Sequence, residues 1–436
     1  MRKAALHNLG CKVNSYETEA MTQLLKKAGY EIVSFQDQAD VYIINTCSVT
    51  NMADRKSRQM LHKAKKQNPN AVVVATGCYV QTATEKVAQD LSIDLVVGNN
   101  RKKDIVEILN EYYAEKEAGE QVKEEYVIDI NHTDEYEDLE ISTVTEHTRA
   151  HLKIQDGCNN FCSYCIIPYA RGRIRSRTME SIKAELERLS ASGFKEIVLT
   201  GINLSCYDDN GKKLIDVIEM ADNVNGIERI RLGSLDPEVV TEDFVERLGK
   251  VKKICPHFHF SLQSGCDKTL KAMNRHYTSD EYYEKCQLIR KYIDNPAFTT
   301  DVIVGFPGET EEDFEETMDI VRKVRYDSVF TFIYSKRTGT PAAVMEDQVP
   351  EEVVKDRFDR LLKEVQTIAA EVCAVHEGTV QEVLVESVSD HDDHMVTGRL
   401  SNNILVHFRG DASMIGDYVN VKLDQCKGFY YIGEQV

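Results

Sequence analysis

No stretch of the 436-residue chain approaches the roughly 18 consecutive apolar residues that a membrane-spanning helix requires, so no membrane partner is expected. The opening MRKAALHNLGC is basic but lacks the apolar core of a secretory leader, which leaves a cytoplasmic location as the expectation. Excess positive charge is also missing. Lys and Arg number 53 against 72 Asp and Glu, a net charge of −19 that speaks against a nonspecific nucleic-acid binder, because phosphate affinity comes from cations that neutralise it. Local patches remain open. Arg55 to Lys66 holds six bases and no acid, whereas residues 111–140 hold twelve acids against Lys116 and Lys123. A solvated helix face is the alternative for the basic stretch. The twelve cysteines are spread over a long chain without a leader, so a disulfide scaffold is not indicated; in a reducing compartment they are ligands, nucleophiles or core fillers.

The length is too great for one hydrophobic core, and the periodicity changes along the chain. Over residues 1–112 short apolar runs alternate with helical periods, the pattern of a three-layer α/β domain built on a parallel sheet. Three of its strands end on cysteines: KAALHNLG at Cys11, VYIINT at Cys47 and AVVVATG at Cys78. In such a sheet the carboxyl ends of the strands share one rim where ligands bind, so these thiols are expected to converge although 36 and 31 residues separate them. A fourth strand, DLVVGNN, carries no cysteine. Residues 113–145 are acidic and read as a linker with one strand at YVIDI. Six βα units follow over residues 146–375, with strands HLKIQDG, EIVLTGIN, RIRLGSL, HFHFSLQSG, TTDVIVGF and VFTFIYS. Six is fewer than the eight of a closed barrel, which predicts an open, partial (β/α)6 barrel. A helix from Pro350 to about Val375 closes it, and the short strands of residues 376–436 predict a small β-barrel.

The most specific pattern is Cys158, Cys162 and Cys165 in DGCNNFCSYCIIPYARG, directly after a predicted strand. Three thiolates in eight residues can hold three irons of a 4Fe-4S cluster and leave the fourth open. A zinc site wants four ligands, usually a second CxxC pair, and none is nearby in the sequence.

This CxxxCxxC spacing, with aromatic Tyr164 before the last cysteine, resembles the radical S-adenosylmethionine enzymes. The resemblance implies that the open iron chelates S-adenosylmethionine, whose sulfonium is cleaved by an electron from the cluster to give a 5'-deoxyadenosyl radical. LGCKVNSYETE around Cys11, NTCSVT around Cys47 and TGCY around Cys78 are similar to the second-cluster motifs of the methylthiotransferases within that superfamily. Alone, each of these cysteines reads as a buried apolar residue. Two 4Fe-4S clusters and S-adenosylmethionine are therefore the implied cofactors. Asn14 and Asn45 beside the second set either hydrogen-bond the cluster's sulfurs or serve turns and caps.

The resemblance covers nearly the whole chain. Thr200, Gly201, Asn203, Ser234, Gln263 and Asp301 lie at or just beyond the carboxyl ends of barrel strands, and by resemblance line the S-adenosylmethionine and substrate pocket together with Tyr164; the alternative is helix capping. MNRHYT and FPGETEEDF are further family-like segments, with Thr310 and Asp313 placed as a capping box. Arg171, Arg173, Arg175 and Arg177 alternate in YARGRIRSRT and either grip tRNA phosphates or form internal salt bridges. The terminal barrel resembles the RNA-binding TRAM domain, although Asp390, Asp392 and Asp393 make one of its turns acidic. Cys206, Cys255, Cys266, Cys286, Cys373 and Cys426 lack ligand spacing.

The implied function is insertion of a methylthio group into a tRNA adenosine. GCKVNSYE with GCNNFCSYCIIPYARG looks most like the group acting at C2 of N6-threonylcarbamoyladenosine 37, in the anticodon stem-loop. Isopentenyladenosine in tRNA and a ribosomal-protein side chain are the alternatives within the family. A noncatalytic iron-sulfur electron carrier would not need the strand-end polar residues, and an RNA-binding scaffold would not need six convergent cysteines. An electron donor such as flavodoxin or ferredoxin is the further partner implied.

Overall fold

A computed structural model describes residues 1–120, 122, 124–141, 148–389, 392 and 394–436. Its first unit is a parallel sheet of six strands: β1 (Lys3–Asn8), β2 (Glu31–Ile32), β3 (Val41–Thr46), β4 (Val72–Gly77), β5 (Leu95–Val97) and β6 (Glu125–Tyr126). They lie in the order β2-β1-β3-β4-β5-β6. The intervening helices are α1 (Lys12–Lys27), α2 (Asn51–Gln67), the short α3 (Cys78–Thr82) and α4 (Thr84–Ala88), and α5 (Ile105–Ala118). Strands β3 and β4 are buried throughout, as parallel strands covered on both faces must be. Alternate residues serve opposite layers: Ile43 and Val74 join Met21 and Leu109, while Tyr42 and Val73 join Leu61 and Ala64.

Two boundaries differ from the sequence expectation. Helix α1 begins at Lys12 rather than near Glu17, which makes Cys11 its N-cap residue, and α5 runs through position 112 to Ala118. The acidic segment also does more than link. Ile130, Glu137, Leu139 and Ile141 are buried, and the backbone N–H of Lys103 donates to Glu137 Oε1 at 2.9 Å. The expected boundary between 145 and 146 lies outside the described residues, as do Lys123, Asp390 and Asp393.

The second unit contains strands β7 (Arg149–Asp156), β8 (Arg175–Ser176), β9 (Glu196–Gly201), β10 (Asp208–Asp209), β11 (Lys212–Lys213), β12 (Arg229–Leu232), β13 (Ser234–Leu235), β14 (His257–Phe260), β15 (Ala297–Val304) and β16 (Ser328–Ile333). Gly233 interrupts what is otherwise one strand, β12-β13. Six parallel staves result: β7, β9, β12-β13, β14, β15 and β16, divided between two four-stranded sheets. The helices are α6 (Ile167–Arg171), α7 (Met179–Ala191), α8 (Leu214–Asp222), α9 (Glu242–Leu248), α10 (Asp267–Ala272), α11 (Ser279–Tyr292) and α12 (Glu311–Val324). Helix α13 (Glu351–Ala374) packs on β16 and covers the end of the open barrel. Thr178, Thr241, Thr278 and Thr310 cap α7, α9, α11 and α12 with their side chains, and Thr310 forms the expected reciprocal box with Asp313.

The last unit is a closed barrel of β17 (Val380–Val388), β18 (Met395–Leu400), β19 (Leu405–Arg409), β20 (Tyr418–Cys426) and β21 (Tyr430–Gln435). Two arginines of β12 fasten it to the larger barrel. Arg231 donates to the Ser401 carbonyl at 2.9 Å, and Arg229 donates to Glu382 Oε1 at 2.8 Å.

Candidate active site

The rim of the first sheet gathers its three cysteines as the strand pattern predicts. Strands β1, β3 and β4 are neighbours, and Cys11, Cys47 and Cys78 follow their carboxyl ends. Gly10 lies against Cys47: a Cβ built on Gly10, whose φ is +109°, would stand 2.9 Å from the Cys47 sulfur, so only glycine fits this approach. Cys11 and Cys47 each feel the charge of Cys78, and burial pushes both thiols above their ordinary range. Strand β5 contributes no thiol, but Asn99 beyond it points its amide at the Cys78 sulfur, 4.0 Å away. Asn14 and Asn45 use their amide donors otherwise. Asn14 donates to the carbonyls of Leu9 (2.7 Å) and Thr46 (3.0 Å), and Asn45 to that of Asn14 (3.0 Å), so they set the shape of the rim and leave the sulfurs to other donors.

Cys158, Cys162 and Cys165 lie on the loop between β7 and α6. Gly157 opens that loop with φ +73°, and a Cβ there would stand 1.8 Å from the Arg173 carbonyl oxygen. Ser163 N–H donates to the Met273 carbonyl (3.0 Å), and Asn274 donates to the carbonyl of Asn160 (2.8 Å). MNRHYT is thus the cradle of the cysteine loop. Its Arg275 donates to the Cys162 sulfur at 3.4 Å and pairs with Asp236 at 2.9 Å. Asn99 carries no signal of its own in the sequence, and Arg275 is marked there only as part of the family-like MNRHYT segment. Burial and the neighbouring Cys162 push the Cys165 thiol up to about 12.

The arginines after this loop correct the RNA-binding expectation. Arg171, Arg175 and Arg177 are at most 3% exposed. Arg171 pairs with Glu17 of α1, hydrogen-bonds Asn14 Oδ1 at 2.5 Å, and directs its Nε at the Cys78 sulfur at 3.2 Å. Burial alone would raise Glu17, but Arg171, Lys102 and Lys153 outweigh it and hold the carboxyl well below the usual range. Arg175 donates to the Arg171 carbonyl (2.9 Å), and Arg177 pairs with Glu185 (2.5 Å) and Asp138 (2.8 Å). The physical reason is pairing: guanidiniums inside a low-dielectric junction are tolerable only beside carboxylates, and this acidic chain supplies them. Arg173 alone of the four reaches the surface, over the Phe161 ring at 4.6 Å. Arg177→Met should therefore lower stability by about 3 kcal/mol, since Glu185 stays buried without its cation. The salt dependence of RNA binding should be unchanged. Thermal denaturation and affinity measured against salt check both.

The remaining strand-end residues surround the barrel mouth. Asn203 turns its amide toward the Cys158 sulfur at 3.9 Å, and its backbone N–H donates to Gln155 Oε1 at 2.7 Å. Asp301 faces His259 at 3.3 Å. Gln263 has φ +67°, and its backbone bridges Asp301 and Ile303. Thr200 is buried beside Gly201, whereas Ser234 is exposed. None of these side chains caps a described helix; the four threonines named above cap α7, α9, α11 and α12. Tyr164 packs edge-on to Phe306 with ring centres 6.5 Å apart.

The Radical SAM superfamily pattern matches residues 152–321, Uncharacterized protein family UPF0004 matches 3–98, and the TRAM domain matches 374–436. The threonylcarbamoyladenosine tRNA methylthiotransferase MtaB of Bacillus subtilis (strain 168) is 42% identical over 97% of this chain and 94% of its own. The chain belongs to the radical SAM methylthiotransferase family. The tRNA-2-methylthio-N(6)-dimethylallyladenosine synthase of Lachnoclostridium phytofermentans is 40% identical over 99% of this chain and 95% of its own. Among solved structures, the radical S-adenosylmethionine methyltransferase TsrM of Kitasatospora setae superposes with a TM-score of 0.59 at 16% identity, over 79% of this chain and 74% of that one. The cobalamin-dependent radical enzyme OxsB gives a TM-score of 0.53 at 13% identity, over 84% of this chain and 56% of that one. At such identities the likeness is one of fold.

Radical SAM enzymes use a 4Fe-4S cluster and S-adenosylmethionine, and the donors present suit a cluster. All six thiols are free. Among the described residues no three His, Cys, Asp or Glu side chains gather tightly enough for a single metal ion. A cubane asks for something else, since each thiolate binds a different iron. Guanidinium donors at 3.2 Å and 3.4 Å from Cys78 and Cys162 supply the positive charge and N–H groups that an anionic cluster requires.

Proposed function

We propose that this methylthiotransferase inserts a methylthio group at C2 of N6-threonylcarbamoyladenosine 37 in tRNA, with Cys158, Cys162 and Cys165 holding one 4Fe-4S cluster and Cys11, Cys47 and Cys78 the other. The observation that carries this is the junction of the two trios. Helix α6, which leaves the barrel's cysteine loop, ends in Arg171, and that residue's Nε lies against Cys78 of the sheet rim. Asn99 reinforces the junction by donating to the Ala170 carbonyl at 2.7 Å. Two sites clamped together in this way suit a reaction that needs radical generation and sulfur delivery at one base.

Bound at its trio, the barrel's cluster supplies the electron that splits S-adenosylmethionine. The protein's share is placement. Tyr164, Thr200, Gly201, Asn203, Ser234, Gln263 and Asp301 are proposed to line the pocket, with Asn203 and Arg275 orienting the cysteine loop. For the RNA surface, exposed Arg55, Lys56 and Arg58 on the first turns of α2, with Arg173, replace the buried arginines. The TRAM barrel is proposed to contribute to holding the anticodon stem-loop. Flavodoxin or ferredoxin is the proposed electron donor, and the cytoplasm the proposed location. No described helix is long and apolar enough to cross a membrane.

The threonylcarbamoyl assignment is supported by the Bacillus subtilis relative and by the GCKVNSYE segment. Nucleoside analysis of tRNA from cells lacking this protein is the test. The 2-methylthio derivative of threonylcarbamoyladenosine should vanish while its precursor accumulates. Loss of the dimethylallyl derivative instead, or of a ribosomal-protein modification, would transfer the enzyme to that substrate.

A further inference from the structure

The two tRNA substrates named for the relatives differ in one chemical respect that a protein can read. A threonylcarbamoyl group ends in a carboxylate, whereas a dimethylallyl group is hydrocarbon. An enzyme for the first needs a cation without a counter-ion where the N6 substituent lies.

Lys12 meets that description. It directly follows Cys11, occupies the first position of α1 and is exposed. An ammonium at a helix N-terminus opposes the helix dipole, and the first turn of α1 holds no acid to offset it. Among the described residues none hydrogen-bonds or pairs with the Lys12 ammonium. The charged side chains that act on it most strongly are Arg149, Arg231 and Arg399, together with the Cys11 thiol, and His257 is also within its electrostatic reach. Those arginines share only two carboxylates. Glu196 pairs with Arg231 at 2.8 Å, and Glu386 with Arg149 at 2.6 Å and Arg399 at 2.8 Å. Arg229 also reaches Glu196, at 4.0 Å, and pairs with Glu382, so five cations face three carboxylates and leave this region positive in a chain of net charge −19. The other cations described near the cysteines are paired, Arg171 with Glu17 and Arg275 with Asp236. A residue that breaks the local rule of helix charge, with nothing in the fold to compensate it, marks a site for something from outside.

We propose that Lys12 binds the carboxylate of the threonylcarbamoyl group and so selects that adenosine. C2 and the carbon bearing N6 belong to the same six-membered ring. With C2 presented to the sulfur-delivering rim at Cys11, the N6 substituent is within reach of a side chain one residue away. The inference rests on the substrate reading above, and the test separates the two.

Fully loaded enzyme is titrated with three synthetic anticodon stem-loops whose position 37 is threonylcarbamoyladenosine, its methyl ester, or dimethylallyladenosine. Wild type should prefer the free carboxylate to the ester by about tenfold or more, the range of a hydrogen-bonded charge pair. Lys12→Gln should lose that preference, and Lys12→Arg should keep most of it. Iron content equal to wild type confirms that each variant holds both clusters. A Lys12→Gln enzyme that retains the preference overturns the assignment of Lys12 alone. Equal weakening toward all three stem-loops overturns it too, because the lysine then touches a backbone phosphate. Tighter wild-type binding of the dimethylallyl stem-loop overturns the substrate reading itself.

Discussion

Replacing Cys162 with Ala removes one cluster and all cleavage of S-adenosylmethionine. The loop survives the change, because it is held by contacts that do not involve the thiol. The Ser163 N–H to Met273 carbonyl bond, the Asn274 bonds to Asn160 and Phe161, and the Cys158 N–H to Gly172 carbonyl bond all remain. What is lost is one of three ligands. Two thiolates do not retain a cubane, so iron should fall from about eight to about four per chain after anaerobic reconstitution. Loss of an Arg275 partner leaves that guanidinium still paired with Asp236, which limits the cost in stability to about 1 kcal/mol. Iron analysis and chromatography of the 5'-deoxyadenosine product measure both effects. Cleavage at the wild-type rate would remove this loop from the chemistry.

The second large effect separates the two trios. Cys47→Ala should leave S-adenosylmethionine cleavage in the absence of tRNA near its normal rate and reduce methylthio insertion to background. Cys47 belongs to the rim of the sheet, and its seat is made by backbone: its N–H donates to Ser57 Oγ at 3.3 Å, and that hydroxyl donates back to its carbonyl at 3.1 Å. Arg337, from the segment after β16, holds the next residue by donating to the Ser48 carbonyl at 2.9 Å and pairs with Asp54 at 3.1 Å. Substitution therefore deletes a ligand without opening the junction. Mass spectrometry of product nucleosides gives the readout. Methylthiolation at the normal rate would mean that this trio does not deliver sulfur.

Much of this architecture was legible in local pattern. Strands followed by helices announce a parallel sheet, and a parallel sheet places its carboxyl ends together, so the convergence of Cys11, Cys47 and Cys78 follows from periodicity. The cysteine loop after β7, the open barrel of six staves, the helix over residues 351–374 and the five short strands beyond it are consequences of hydrophobic period and turn chemistry, which act between near neighbours in the chain. The arginines were legible only as charges. Whether a guanidinium meets solvent or a buried polar partner depends largely on residues far away in sequence: Glu17 lies 154 residues from Arg171, and the Tyr16 hydroxyl that Arg177 meets beside Glu185 lies 161 residues away. The cradle that MNRHYT forms for the cysteine loop, the seating of Asn99 on Ala170, and the isolation of Lys12 among cations are of the same kind. Sequence alone determined the three units, their strands and the residue types available for chemistry. The tertiary structure decided which charges are neutralised and which one is left over, because pairing energy falls off over a few ångströms and only the folded chain specifies those distances.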